Sequence, residues 1–157
     1  LYDQNKVSEI FSVDPDNVLL NKARRRAKLN NINLNIESLS AEELPFESNS
    51  FDTVVSTYTL CSIKNAEKAL AEVNRVMKNG SKFIFSEHGK APDENVLKWQ
   101  KRLNPIWSRI AGGCHLDIDI PSIISKSKFK IPEIQSTYVP GPKFAAYHYW
   151  GYATANK

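Results

Sequence analysis

The sequence predicts an α/β domain built on a mainly parallel sheet, and three observations carry that prediction. Through residue 86, short runs of β-forming residues alternate with helical stretches in the order strand, helix, strand, loop, strand, helix, strand. The strand at residues 81–86 is apolar at consecutive positions (Phe83-Ile84-Phe85), as a parallel strand buried on both faces should be. Near the end, two further strand-like runs are joined by Pro140-Gly141-Pro142, which reads as an antiparallel hairpin.

Taken in order, residues 9–13 form the first strand, with Ile10, Phe11 and Val13 as its β-formers. Asp14-Pro15-Asp16 stops it and offers N-caps to a helix over 17–29, where Leu19, Ala23 and Ala27 recur every four residues. Five basic residues, Lys22, Arg24, Arg25, Arg26 and Lys28, occupy its other faces and read as a solvated surface rather than a nucleic-acid arm. Residues 33–37 form a second strand, followed by a loop to residue 50. The third strand runs over 51–58 with a buried Val54-Val55 centre.

A strong helix follows over 65–77, with Ala66, Ala69, Leu70, Val73, Val76 and Met77 on one stripe and Asn79-Gly80 as a left-handed cap. Over 96–110, Trp99, Leu103, Ile106, Trp107 and Ile110 share one side, and Pro105 marks a kink or break. A short helix over 121–128 leads to hairpin strands at 131–139 and 144–153.

At 157 residues, 41% hydrophobic and 24% charged, the chain suits one soluble domain and excludes a disordered one. Its longest unbroken apolar run is four residues, 144–147, too short to span a bilayer. Cys61 and Cys114 form no CxxC pair, which argues against a disulfide framework or zinc knuckle, suits a cytoplasmic location and leaves no metal expected. No charged-then-apolar leader supports secretion. The net charge of +4 is uneven: residues 1–95 carry 12 basic and 14 acidic groups, residues 96–157 carry 9 and 3. So small an excess reads as a solvated surface.

Ligands of open α/β sheets bind beyond the carboxyl ends of the strands. Asp14, at the end of the first strand, can accept two hydrogen bonds from a ribose diol or cap the following helix. The stretch "SAEELPF" at residues 40–46, followed by "NSFDTVVSTYTL", closely resembles the adenine-contacting loop and fourth strand of class I S-adenosylmethionine-dependent methyltransferases. "EKALAEVNRVMKNGSKFIFSEH" is similar to the next helix and fifth strand of that family, and the final hairpin to its reversed last strand. Within the family, "TLCSI", "SEHG", Trp99-Gln100 and "GGCHL" resemble the methyltransferase-like 7 group and bacterial phospholipid or quinone methyltransferases.

The resemblance implies a Rossmann-like fold, S-adenosylmethionine as cofactor, and methyl transfer to a small-molecule or lipid-like acceptor. It implies that Asp14 and Pro15 meet the ribose, and that Ser40, Ala41 and Glu42 lie along the adenine edge. Ser56, Thr57 and Tyr58 then line the methionine end, where ordinary strand-end packing is the competing account. A neutral acceptor must lose a proton, so His88, after the fifth-strand analogue, is the first candidate base, ahead of His115, Asp117 and Tyr58. The two cysteines read as packing residues, and His148 as structural.

The family's glycine-rich GxGxG loop and the strand before it are missing: all six glycines, from Gly80 onward, lie downstream. The expectation is therefore a single, incomplete methyltransferase domain over 1–157, with further residues before Leu1 and with 90–120 as a substrate-facing lid. Lysine and arginine beside Trp99 and Trp107 suit an apolar or anionic-headed acceptor, or transient contact with a membrane surface. The competing class is a non-catalytic remnant whose sheet is completed by a partner or a homodimer mate. A nicotinamide-dependent oxidoreductase ranks third.

Overall fold

In the computed structural model, which describes residues 3, 5–155 and 157, the chain divides into two compact units at Leu44/Pro45. In the first unit, strand β1 (Ile10–Val13) pairs in parallel with β2 (Leu34–Glu37), and helix α1 (Asn17–Leu29) connects them. Asp16 caps α1, its carboxylate accepting from the backbone N–H of Val18 at 2.7 Å. The buried positions of α1 are Leu20 and Ala27, whereas Leu19 is half exposed. Seven residues make almost two full turns, so 20 and 27 coincide on the helix surface as 19 and 27 do not. All five basic residues of α1 are exposed, as a solvated face requires.

The second unit holds strands β3 (Phe51–Thr57), β4 (Met77–His88), β5 (Phe129–Tyr138) and β6 (Tyr147–Ala155) in the order β3-β4-β6-β5. β3 and β4 are parallel; β6 alone is reversed, antiparallel to both β4 and β5. Helices α2 (Ala66–Val76), α3 (Glu94–Ile110) and α4 (Ile120–Lys126) complete the unit, with a 3-10 turn at Lys143–Ala145 between the hairpin strands. The core joins Ala69, Leu70, Val73 and Val76 of α2 to Met77, Phe83 and Phe85 of β4, Ile120 and Ile124 of α4, and Phe129. The ring of Phe83 packs 5.4 Å from that of Phe129.

Four local expectations change. The helix expected to reach Met77 ends at Val76, and Asn79-Gly80 belongs to an excursion early in β4 instead of a helix cap. Phe51 pairs with Met77 but Thr53 with Lys82, so extra β4 residues loop out, and Gly80 takes the positive φ (+73°) this requires. Phe83 and Phe85 of β4 are buried, whereas Val55 and Ile84, expected to be buried as well, are 48% and 41% exposed.

Helix α3 runs unbroken through Pro105, and its inward side includes Gln100 and Asn104, while Trp99, Ile106 and Ile110 face solvent. Gln100 is fully buried because it is satisfied: its Nε2 donates to Gly89 O and Phe144 O, and its Oε1 accepts from Ala91 N–H. β5 starts two residues early, and its Pro132 is tolerated because the strand lies at the sheet edge, beside a register shift. No helix among the described residues is long and apolar enough to cross a membrane.

Candidate functional site

The parallel register of β3 and β4 brings their carboxyl ends level, with Thr57 opposite Ser86 and the Tyr58 N–H donating to Ser86 O at 3.0 Å. Glu87 organises the turn beyond β3. It is fully buried, and its carboxylate accepts from Ser56 Oγ (2.7 Å), Thr59 N (3.1 Å) and Leu60 N (3.2 Å). Burial pushes its pKa above the ordinary carboxylate value, and the three donors oppose that rise. One carboxylate thus folds the chain back after β3 and delivers Cys61 beneath the turn.

A second loop meets the first. The His115 N–H donates to Cys61 O at 2.8 Å, and Asn104 of α3 holds the same loop by accepting from Leu116 N at 2.7 Å and donating to Asp117. Gly112 and Gly113 lie at positive φ, which lets the chain reverse at the end of α3. Gly89, directly after β4, is also required: a Cβ there would stand 2.4 Å from Ile118 O.

These ties gather Cys61, His88 and Cys114. The two Sγ atoms are 2.9 Å apart, and Cys114 Sγ is 3.4 Å from His88 Nδ1. Cys61 is buried and Cys114 half-buried. The proton shared between the sulfurs draws the Cys114 thiol down to about 5, helped by His88 and by the indole N–H of Trp107; burial opposes the fall. The same sharing, with burial, pushes Cys61 up. The arrangement favours one thiolate, on the half-buried sulfur. No spacing motif announces it, since the residues come from two separate loops and a strand end.

The expected acid–base residues fall into different settings. His88 is buried at the end of β4 against Cys114, whereas Tyr58 is exposed at the end of β3, at φ +51°, edge-on to His148 at 5.4 Å. His115 is exposed, and Asp117 is half-buried and engaged by Asn104. His148 is buried, its Nδ1–H donating to Ala146 O at 2.9 Å. Ser56 spends its hydroxyl on Glu87. Glu87 enters the sequence reading only within the stretch "SEHG", with no role of its own.

In the first unit, Asp14 is half-buried just past β1, and one carboxylate oxygen accepts from Asp16 N at 2.7 Å. Its other oxygen accepts no hydrogen bond among the described residues, and Asp16 caps the helix, so Asp14 retains capacity for a ribose hydroxyl. Ser40 is exposed and closes a turn by accepting from Glu42 N at 3.2 Å. An acid at a strand end and an open turn after the next strand fit the adenosine half of S-adenosylmethionine. A hollow lined by Val7–Ile10 and Asn31–Asn33 lies at the opposite, amino ends of β1 and β2.

Comparison with known proteins identifies the family of this fold. Residues 1–85 match the family model described as "Methyltransferase domain". Thiol S-methyltransferase TMT1B of Rattus norvegicus is 40% identical over 94 residues, 59% of this chain and 38% of that protein. The ubiquinone/menaquinone biosynthesis C-methyltransferase UbiE of Brucella canis is 31% identical over 134 residues, 82% of this chain and 49% of that protein. The chain therefore spans about half the length, or less, of these curated relatives.

Among solved structures, a SAM-dependent methyltransferase from Methanosarcina mazei superposes with a TM-score of 0.74 at 16% identity, over 93% of this chain and 81% of that one. The family match covers more than half of the residues, and the reversed final strand continues the same architecture. The chain thus belongs to the methyltransferase-domain family, with the Rossmann-like fold of class I S-adenosylmethionine-dependent methyltransferases.

Proposed function

We propose that the whole protein transfers a methyl group from S-adenosylmethionine to a small-molecule thiol. The observation that carries this reading is the concentration of ionisable groups, Tyr58, His88 and Cys114, at the carboxyl edge of β3 and β4, where ligands of open α/β sheets lie. The identity to thiol S-methyltransferases supports a thiol acceptor over a quinone carbon. In this reading Asp14 and Pro15 hold the ribose, Ser40, Ala41 and Glu42 the adenine edge, and Thr57 and Tyr58 the methionine end, with Ser56 positioning that turn through Glu87.

When bound, the cofactor supplies an electrophilic methyl group on a sulfonium. The protein's task is alignment, worth on the order of 7–11 kcal/mol in favourable cases, and removal of the acceptor's proton. His88 and Tyr58 stand at strand ends for that removal, with His115 and Asp117 on the adjacent loop. Residues 90–120 form the acceptor-facing lid. Trp99, 56% exposed, Ile106 and Ile110 give it an apolar surface, edged by Lys98, Arg102 and Arg109, suited to an apolar or anionic-headed acceptor or to a membrane surface.

Full-length protein incubated with methyl-labelled S-adenosylmethionine, an alkyl thiol and a quinol should yield labelled thioether. Label on the quinol carbon alone would overturn the thiol reading. Trp99→Ala should raise the acceptor KM several-fold and leave both cofactor affinity and the fold unchanged, since this indole packs outside the core. Paired Arg24→Ala and Arg25→Ala changes on the solvated face of α1 should alter neither quantity.

A further inference from the structure

We propose that Cys61, His88 and Cys114 form a binding site for a thiophilic divalent cation of the Zn²⁺ class, with three protein ligands and an open fourth position. The proposal stands on the geometry of the second unit and shares His88 and Cys114 with the edge that carries the methyl-transfer reading; a bound cation takes His88 out of the base role and leaves Tyr58, His115 and Asp117 for it. One donor atom from each residue lies within 4.8 Å of the other two, on side chains that are buried or half-buried. Around tetrahedral zinc, with bonds of about 2.3 Å to sulfur and 2.0–2.1 Å to nitrogen, two sulfurs stand about 3.7 Å apart and sulfur and nitrogen about 3.6 Å. The Cys114 Sγ to His88 Nδ1 distance of 3.4 Å already meets this, and the sulfurs, at 2.9 Å, need to part by roughly 0.8 Å.

The surroundings suit such a centre. Two thiolates and an imidazole are the donor set that thiophilic metals prefer to oxygen-rich sites. The loop bearing Cys61 is pinned by Glu87 through Leu60 N–H and the loop bearing Cys114 by Asn104 through Leu116 N–H, so the two sulfur ligands sit on restrained loops. Trp107 Nε1 is buried without a hydrogen-bond partner among the described residues, on the helix that leads into the loop bearing Cys114. Three protein ligands, in place of four, leave room for a water or a soft sulfur ligand, as at reactive zinc centres.

The test is titration of the reduced full-length protein with Co²⁺, followed by displacement with Zn²⁺. One equivalent of Co²⁺ should bring a sulfur-to-cobalt charge-transfer band and the visible bands of a tetrahedral ion, and Zn²⁺ should abolish both. Cys114→Ser and His88→Ala should each weaken binding at least tenfold and shift the spectrum. Should a variant fail to fold, Zn²⁺ protection of both wild-type thiols against alkylation gives the same answer. The absence of a sulfur-to-cobalt band in the reduced protein, or a band unchanged by Cys114→Ser, would overturn the site. So would a cysteine pair that forms a disulfide in air but gains no protection from Zn²⁺ when reduced. None of these readouts depends on methyl transfer, so failure of the metal site and failure of the proposed activity are separable.

Discussion

Replacement of Glu87 with leucine is expected to lower the melting temperature by roughly 10–20 °C in a circular-dichroism melt. The change removes the acceptor for Ser56 Oγ, Thr59 N and Leu60 N and leaves those donors without their partner. The buried Leu60 N–H costs about 1–3 kcal/mol when unsatisfied and the part-buried Ser56 and Thr59 donors cost less, so a net loss of about 2–4 kcal/mol is expected after relief of the carboxylate's own desolvation. A loss of that size shifts the midpoint of a domain of about 100 residues by the stated amount.

Glu87→Gln separates charge from hydrogen bonding. The amide keeps a carbonyl acceptor for Ser56 Oγ and Thr59 N but turns its NH2 toward Leu60 N–H, so it should cost less than leucine while still losing one bond. It should also flatten a pH dependence whose sign is set by burial: the folded pKa of Glu87 lies above its ordinary 4.5, so the native state holds the proton longer than the unfolded chain does. Stability should therefore fall as pH rises from about 4.5 through the raised value, and this component should vanish in the glutamine variant. Melts of the wild type and Glu87→Gln across that range check both claims.

Asp14→Ala in the full-length protein should weaken S-adenosylmethionine binding more than tenfold by calorimetry while leaving the melting temperature nearly unchanged. Two hydrogen bonds from ribose hydroxyls to a carboxylate are worth about 1.5–3 kcal/mol each. Either alone accounts for a tenfold loss. The fold should tolerate the change because Asp16, rather than Asp14, caps α1. Asp16→Ala gives the contrast: a loss of about 0.5–2 kcal/mol of stability from the missing cap, with cofactor affinity retained. Equal affinity in wild type and Asp14→Ala would return Asp14 to its turn with Asp16 N and remove it from the site.

The alternation of strands and helices, the solvated basic face of α1, the apolar stripe of α2 and the closing hairpin all arise from local spacing, since each depends on residues within a few turns of one another. Of the adenosine-side candidates, Asp14 was singled out as an acid at a strand end, and Ser40 only through the resemblance of residues 40–46 to the family's adenine-contacting loop. Other features depended on pairing partners distant in sequence. The Gly80 excursion exists because β4 must keep register with β3; a left-handed glycine alone does not distinguish it from a helix cap. The exposure of Val55 and Ile84 beside the buried Phe83 and Phe85 is likewise something that a run of apolar residues within a strand cannot specify.

The largest difference concerns the sulfur–imidazole cluster. Cys61 and Cys114 are 53 residues apart, and His88 ends a strand whose direction gives no hint of what its end will meet. They come together because one buried carboxylate folds the turn after β3, while Asn104 and two left-handed glycines direct the chain back from α3. Local propensity and apolar periodicity determined the elements. The tertiary structure alone brought these three donors together, because the hydrogen bonds holding them join loops that share no sequence pattern.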